Sequence, residues 1–149
     1  MTLTAINQAN LIIDSYKHWL GVDLIDPTLS ANEKAKALYE APFVVVSHDT
    51  QDDPIFNYAN LKAQQLWELS WEAFTSLPSK QSAEPNAREE RALLLSNLKS
   101  TGYSDNYRGT RISSSGKRFE IINTFVWNLK DIHGNYCGQA ASFAEWKFL

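Results

Sequence analysis

Apolar residues recur at helical spacing over residues 3–20, and Gly21 follows them as a helix stop signal. The residues near this one face are Leu3, Ile6, Ile13, Tyr16 and Leu20. Further on, Ser30 and Glu33 have the spacing of a capping box, which predicts a second, shorter helix ahead of Pro42. Residues 1–40 are therefore predicted to form a helical extension.

The pattern changes after Ala41 to short runs of β-branched and aromatic residues. The run PFVVVSHD predicts a buried strand, and the Asp-rich segment after it predicts a turn. A second strand, IFNYA, leads into Asn60, which is well placed to cap a helix. We therefore expect two strands followed at once by a helix.

Helical spacing then continues to Gly102. The helix after Asn60 presents Ala63, Leu66 and Trp67 on one face. A further helical turn begins at Ser70, and a longer amphipathic helix is predicted over residues 86–100. The residues whose helical spacing predicts this longer helix are Arg91, Leu94, Leu95 and Leu98.

Three strands of an antiparallel meander are predicted for the rest of the chain, YSDNYRGTRI, RFEIINTFVWNL and YCGQAASFAEWKF. Side chains alternate between the two faces of a strand, which places six residues of the middle strand on one face. Asn123 is the only polar residue among these six. The six are Phe119, Ile121, Asn123, Phe125, Trp127 and Leu129. A buried Asn needs partners, which a ligand, a water or a neighbouring backbone group would supply.

Composition restricts the class of protein. With 149 residues, 44% of them hydrophobic, the chain closes one core, so a single domain with its main fold at 41–149 is expected. A net charge of −3 without a basic stripe disfavours nucleic-acid binding. Cys137 is the one cysteine, and no apolar run is long enough to span a membrane, so we expect a cytoplasmic protein without a disulfide.

Several segments resemble the PAS sensory fold, in the order in which PAS domains have them. The resemblance is carried by Asn60 with the helix after it and by the hairpins at SSSGKRFEI and DIHGNYCGQAASF. From Ile12 onward the chain more closely resembles the MEKHLA domain. This PAS-like family is found alone in cyanobacteria and other bacteria, and at the C-terminus of plant class III homeodomain leucine-zipper proteins. The matching strings include APFVVVSH, DPIFNYAN and GQAASF.

The resemblance implies an α+β fold with a five-stranded antiparallel sheet in the order 2-1-5-4-3, helices on one face and a pocket between them. It names no cofactor. A flavin photoreceptor of the LOV branch needs a cysteine where this chain reads PSKQSAEP, so a covalent flavin adduct is excluded. Haem-binding PAS domains take an axial histidine from the long helix, and residues 86–101 contain none, which disfavours haem.

Motifs for metal binding and common enzyme chemistry are missing. His18, His48 and His133 have no HxxxH or HxH spacing, so no metal site is expected. His48, beside Asp49, is interpreted as part of a solvated turn. No GxSxG, GxxxxGK or GxGxxG sequence occurs, which removes support for hydrolase, nucleotide-hydrolysing and Rossmann enzymes, and no catalytic residue is assigned.

Arg111 and Asn123 are the best polar ligand candidates by resemblance, because LOV-type flavin binders place polar contacts on these two strands. A hairpin centred on Gly116 would place Arg111 opposite Ile121 and turn it inward, together with Tyr107. A shift of one residue would turn Arg108 inward instead. An inward arginine favours a carboxylate or phosphate ligand, or a buried Glu partner, and an exposed strand arginine is the alternative.

Large aromatic residues are the apolar ligand candidates. They would form a wall for a planar or apolar ligand, or they are simply core. These residues are Trp67, Trp71, Phe74, Phe125 and Trp127.

The function expected from these patterns is a non-catalytic sensory or interaction module that binds a small ligand or a protein partner. One alternative is a small pocket enzyme of isomerase or hydratase type, although no titratable residue is obvious on the inner faces. Another is a dimerisation domain with a filled core. Ile122 and Val126, on the face opposite the pocket, need covering either by homodimerisation or by the first helix folding over its own sheet.

Overall fold

A computed structural model describes the backbone of residues 1–149 and the side chains of all except residues 85–87, 90 and 99. The helices are α1 (Leu3–Leu20), α2 (Ala31–Tyr39), α3 (Leu61–Trp67), α4 (Trp71–Phe74), a 3-10 turn (Ser79–Ser82) and α5 (Pro85–Thr101). The strands are β1 (Val44–His48), β2 (Phe56–Ala59), β3 (Tyr103–Ile112), β4 (Arg118–Lys130), β5 (Tyr136–Phe143) and β6 (Glu145–Phe148). Among the described residues, no helix combines the length and apolar composition that crossing a bilayer requires.

The strands form one antiparallel sheet in the order β2-β1-β5-β4-β3, which confirms the predicted order. The last predicted strand is divided at Ala144 into β5 and β6. Both parts pair with β4, since Ser142 of β5 lies opposite Phe125 and Glu145 of β6 lies opposite Ile122. The sheet therefore has six strands, one more than predicted.

Strand β4 exchanges its two faces at Asn123, whose φ of 50° lies in the left-handed region that Asn tolerates. Before it, Phe119 and Ile121 pack with the core of α3 and α4. After it, Trp127 and Leu129 pack with α1 on the opposite side. A single irregular residue shifts the alternation by one, so the prediction of one continuous face was wrong from Asn123 onward.

Helices α1 and α2 cover the outer face of the sheet, which we define as the face that carries Trp127. The indole Nε1 of Trp127 donates to the carbonyl of Ile12 at 3.3 Å, and that of Trp19 donates to the carbonyl of Asn128 at 2.9 Å. Of the two alternatives for this face, α1 therefore covers its own sheet, and homodimerisation stays a prediction. Val126 was placed on this face wrongly, since it lies on the inner one with α5.

Asn60 connects the inner helices to the sheet. Its carboxamide oxygen accepts from the backbone N–H groups of Ala63 at 3.2 Å and Val45 at 3.0 Å. Its amide nitrogen donates to the carbonyls of Leu38 at 3.1 Å and Phe43 at 2.8 Å. The predicted cap of α3 is confirmed, and the same side chain fixes where α3 lies on β1.

Candidate functional site

A cavity of about 50 Å³ lies between the inner face of the sheet and helices α3 and α5. Its apolar wall includes Val46, Phe56, Trp67, Ile121, Val126 and Phe143. Its polar lining includes His48, Arg91, Tyr107, Arg111, Thr124 and Gln139. A few convergent polar groups in an apolar wall are typical of a small-molecule site.

An open groove of about 410 Å³ adjoins the cavity, between α5 and the loop that joins β1 to β2. Cavity and groove share the side chains of His48, Arg91, Leu95 and Gln139. These four residues therefore form the boundary that a ligand would cross between solvent and the cavity.

Arg91 projects from α5 into this boundary. It is only 7% exposed, and its Nη2 donates to the hydroxyl of Ser79 at 2.6 Å. Burial lowers the pKa of the Arg91 guanidinium to about 10, and the positive charge of Arg111 contributes to the lowering. Because this value lies above neutral pH, Arg91 still carries its charge inside the protein.

Arg111 of β3 points into the cavity and is 8% exposed. Its Nη1 donates to the carbonyl of Thr110 at 2.9 Å, and its Nη2 donates to the hydroxyl of Tyr107 at 3.2 Å. The guanidinium also lies 5.5 Å from the centroid of the Tyr107 ring, within cation–π range. Tyr107 thus holds Arg111 in its inward orientation.

The inward arginine is Arg111 and not Arg108, which is exposed and pairs with Glu120 at 2.8 Å. The predicted parity of the hairpin is confirmed. The predicted register was wrong, because Arg111 lies opposite Phe119 rather than Ile121. The turn is centred one residue earlier than assumed, which moves the pairings of Gly109 and Arg111 by two positions and keeps Arg111 on the inner face. The pairing of Tyr107 moves by one position only, to Thr124, because the register shifts between Tyr107 and Gly109.

Neither buried guanidinium has a carboxylate partner among the side chains that are described. Among the described side chains, Arg91 and Arg111 donate to neutral hydroxyl and carbonyl oxygens alone. Buried charges are normally paired, because transfer out of water disfavours the charged form. Asp53 favours the charged form of Arg91 from a distance but forms no ion pair with it, so the cavity has a positive potential that the described carboxylates compensate only in part.

His48 ends β1 and is 6% exposed, so its interpretation as part of a solvated turn was wrong. Its Nδ1 lies 2.9 Å from the carbonyl oxygen of Asp49, which can only accept. In the neutral ring the proton is therefore on Nδ1, and Nε2 is left as a buried acceptor without a hydrogen bond among the described residues. Burial lowers the pKa of His48 below 6.5, although Asp49 and the nearby Gln139 act against it.

Thr124 and Gln139 also belong to the polar lining of the cavity. Thr124 is fully buried, and its hydroxyl has no hydrogen-bond partner in the described part of the chain. Gln139 donates through Nε2 to the carbonyl of Leu95 and to Oδ1 of Asn128, each at 3.0 Å. Gln139 therefore holds α5 against the sheet, whereas the Thr124 hydroxyl remains available to a ligand.

Trp67, Tyr107 and Arg111, all predicted as ligand candidates, line the cavity. Phe74 lies behind the wall, with its ring centroid 5.6 Å from that of Trp67. Trp71 does not line the cavity and packs against the core of the outer face. Of these aromatic candidates, Trp67 lines the cavity and the two of α4 do not, and a role in ligand binding stays a prediction.

The remaining candidates, Asn123, Phe125 and Trp127, were placed on the cavity face wrongly, because β4 exchanges faces at Asn123. Asn123 is exposed, and its amide lies 3.5 Å from both carboxylate oxygens of Glu145. Phe125 and Trp127 pack edge-on against Tyr16 of α1, with ring centroids 5.9 Å and 5.0 Å away.

Six polar residues that line the cavity were not among the predicted ligand candidates, namely Ser47, His48, Ser82, Arg91, Thr124 and Gln139. For Arg91 a signal was present, since an arginine on the apolar face of a helix, beside Leu94 and Leu98, is unusual. Thr124 becomes recognisable only when the face exchange at Asn123 is known, because strict alternation turns it away from the pocket.

The cavity does not fit a flavin. An engineered cavity that holds one benzene has a volume of about 150 Å³, and a flavin carries three fused rings. The volume of about 50 Å³ found between sheet and helices is smaller than either needs. Within the described residues, no three His, Cys, Asp or Glu side chains come together in a way that would hold a metal ion.

The fold is similar to solved PAS and LOV structures. The PAS domain of a protein from Colwellia psychrerythraea superposes with a TM-score of 0.63 at 16% identity, over 79% of this chain and 95% of that one. A light-oxygen-voltage domain studied with a flavin analogue superposes with a TM-score of 0.62 at 16% identity, over 78% of this chain and 84% of that one. An RNA-binding light-oxygen-voltage receptor superposes with a TM-score of 0.63 at 15% identity, over 80% of this chain and 33% of that one. At these identities the likeness shows the fold alone.

Comparison with curated proteins gave no match. The family model of the MEKHLA domain matches residues 6–148, which include the N-terminal helices as well as the whole sheet. Together with the PAS-like strand order and the similar solved structures, this match shows that the chain belongs to the MEKHLA domain family, with the fold of PAS-type sensory domains.

Proposed function

We propose that this domain is a non-catalytic sensory module that binds a small ligand reversibly in the cavity, without covalent chemistry. One observation carries the proposal. Nε2 of His48 and the hydroxyl of Thr124 are buried without a partner among the described residues, and both residues line the cavity. Buried polar groups in native proteins are normally hydrogen-bonded, so a ligand that supplies the missing partners accounts for both.

Helix α5 is the proposed element that responds to the ligand. It contributes Arg91, Leu94 and Leu95 to the cavity wall, and the hydrogen bond from Gln139 to Leu95 holds it against the sheet. A ligand between helix and sheet favours the arrangement of α5 that it contacts best, and so shifts the population of states. A protein partner or a second copy of the chain would detect that shift.

Homodimerisation and a cytoplasmic location are part of this proposal. One similar structure is an RNA-binding receptor, whose RNA binding is a property of that protein. For the present chain, the net charge of −3 supports a partner other than nucleic acid, because phosphate neutralisation needs clustered basic residues.

His48 favours a second candidate function, a small enzyme that uses acid–base chemistry in the cavity. The expectation of no titratable residue on the inner faces was wrong at this position, because His48 lines the cavity with a pKa lowered chiefly by burial. No Asp or Glu side chain lines the cavity within the described part, so His48 lacks a second acid or base of that kind there. We therefore prefer the sensory function.

The experiment that tests ligand binding is an amide-resolved NMR titration of the full chain with three probes of equal length, namely 1-propanol, propionamide and sodium propionate. We expect at least one of them to shift the Thr124 and Gln139 resonances saturably. Ala141→Leu should abolish the shifts because it fills the cavity, and Ala144→Leu, at an exposed position next to the same strand, should keep them.

Absence of saturable shifts at cavity residues with all three probes, together with the bare chain mass in native mass spectrometry, would contradict ligand binding. That result would support the alternative of a dimerisation domain with an essentially filled core.

A further inference from the structure

We propose that the ligand of this cavity is a small carboxylate anion whose charged group lies between Arg91 and Arg111. This inference rests on the proposed function, since it names the chemical class of the ligand that the cavity binds.

The two guanidinium groups supply the first argument. Their acceptors in the described part of the chain are the Ser79 hydroxyl, the Thr110 carbonyl and the Tyr107 hydroxyl, all of them neutral. A guanidinium offers more N–H groups than these acceptors use, so donors remain for a ligand. Arginine binds carboxylates through paired, charge-assisted hydrogen bonds, which are stronger than bonds between neutral groups.

Repulsion between the two arginines supplies the second argument. The charge of Arg111 is felt at Arg91, and among the described side chains no carboxylate pairs with either one. Asp49, Asp52 and Asp53 line the outer groove rather than the cavity. Asp53 acts favourably on Arg91 from there, but its ion pair at 3.3 Å is with Lys80. An anion inside the cavity would compensate both guanidinium charges where their interaction is least screened.

The size and wall of the cavity favour a carboxylate over larger or more highly charged anions. A volume of about 50 Å³ is about a third of the cavity that holds one benzene, so it admits only a short hydrocarbon chain, with the carboxylate at the boundary to the groove beside Arg91. The chain would contact the apolar wall at Ile121, Val126 and Phe143. Phosphate has no apolar part to contact this wall, so its burial would remove a strongly hydrated anion from water without burying any hydrocarbon. Thr124 lines the same cavity, and its hydroxyl, which has no partner among the described residues, is a further donor for the anion.

The test compares the dissociation constants of sodium propionate, propionamide and inorganic phosphate for the full chain, by NMR titration or calorimetry. Propionamide has nearly the shape of propionate and lacks its charge, so we expect propionate to bind about tenfold more tightly or better. Arg111→Met and Arg91→Met should each weaken propionate binding by about tenfold and change propionamide binding little. Arg108→Met is the matched control, because Arg108 lies on the same strand but on the exposed face.

Equal affinity for propionate and propionamide would overturn the inference and leave the ligand site intact. Tighter binding of phosphate than of propionate would overturn the choice of carboxylate. Failure of every probe would overturn the proposed function itself. Because an arginine variant can fail to fold, the unaltered chain gives a second readout. Propionate should raise the midpoint of thermal unfolding of this chain in a concentration-dependent way, and propionamide should not. A larger increase with propionamide than with propionate would contradict the inference.

Discussion

Single buried polar side chains divide into two kinds in this domain. Asn60 is fully buried, and both its carboxamide oxygen and its amide nitrogen are hydrogen-bonded to backbone groups. Thr124 is equally buried, and its hydroxyl has no partner among the described residues. A satisfied buried group holds the fold together, whereas an unsatisfied one destabilises it unless a ligand or water completes it. This difference assigns Asn60 to structure and Thr124 to the binding site.

Thr124→Val should stabilise the ligand-free domain by about 1 kcal/mol, because it removes a buried hydroxyl that makes no hydrogen bond and keeps the branched shape. The same change should weaken propionate binding. Tyr58→Phe is the control, since Tyr58 also buries an unpartnered hydroxyl but packs in the outer core. It should stabilise the domain without affecting binding. Urea unfolding measures both effects, and a destabilised Thr124→Val protein would show that the hydroxyl has a partner.

At the scale of secondary-structure elements, short-range signals predicted where helices begin and end. Ser30 and Glu33 form both hydrogen bonds of the predicted capping box, and Gly21 closes α1 with a φ of 75°. The strands were harder to predict, because a strand's alternation is interrupted by one residue whose conformation depends on its partners. Asn123 in β4 and Gly138 in β5, with a φ of 121°, are two such residues.

Gly138→Ala should destabilise the domain by roughly 2–4 kcal/mol, because the new Cβ would overlap the carbonyl oxygen of His48 and alanine is strained at this positive φ. Gly116→Ala separates the two causes. Its φ of 90° is also positive, but no atom lies within 4 Å of the new Cβ, so we expect a loss of about 1 kcal/mol. Thermal and urea unfolding of the two variants measure the difference, and equal losses would show that strain alone is responsible.

For the molecule as a whole, the cavity is assembled from β1, α5, β3, β4 and β5, which are distant from one another in the chain. Its interior therefore influences the stability of the entire domain. His48 is neutral inside this assembly because burial lowers its pKa below 6.5, and the charge of Arg91 adds to the lowering. In the unfolded chain His48 has its ordinary pKa, so the unfolded state binds a proton more readily than the folded one.

The free energy of unfolding should therefore fall as the pH decreases below about 6.5, and should continue to fall until the folded-state pKa of His48 is reached. His48→Gln should remove this part of the pH dependence. His133→Gln, at an exposed position, should retain it. Urea unfolding at about pH 7.5, 6.5 and 5.5 measures this pH dependence, because these values lie above, at and below the ordinary pKa of histidine. Parallel pH profiles for the unaltered chain and His48→Gln would contradict the assignment.

Local sequence was sufficient to predict the helix boundaries and the existence of the five main strands, whereas it left open whether Arg111 or Arg108 points inward. Caps, turns and alternation depend on residues close together in the chain, and the PAS-like and MEKHLA resemblance supplied the strand order. The composition of the cavity required the folded chain. The exchange of faces at Asn123, the burial of His48 and the meeting of Arg91 with Arg111 all result from packing between distant segments. No pattern within a single helix or strand carries the information that two arginines will share one cavity without a described carboxylate partner.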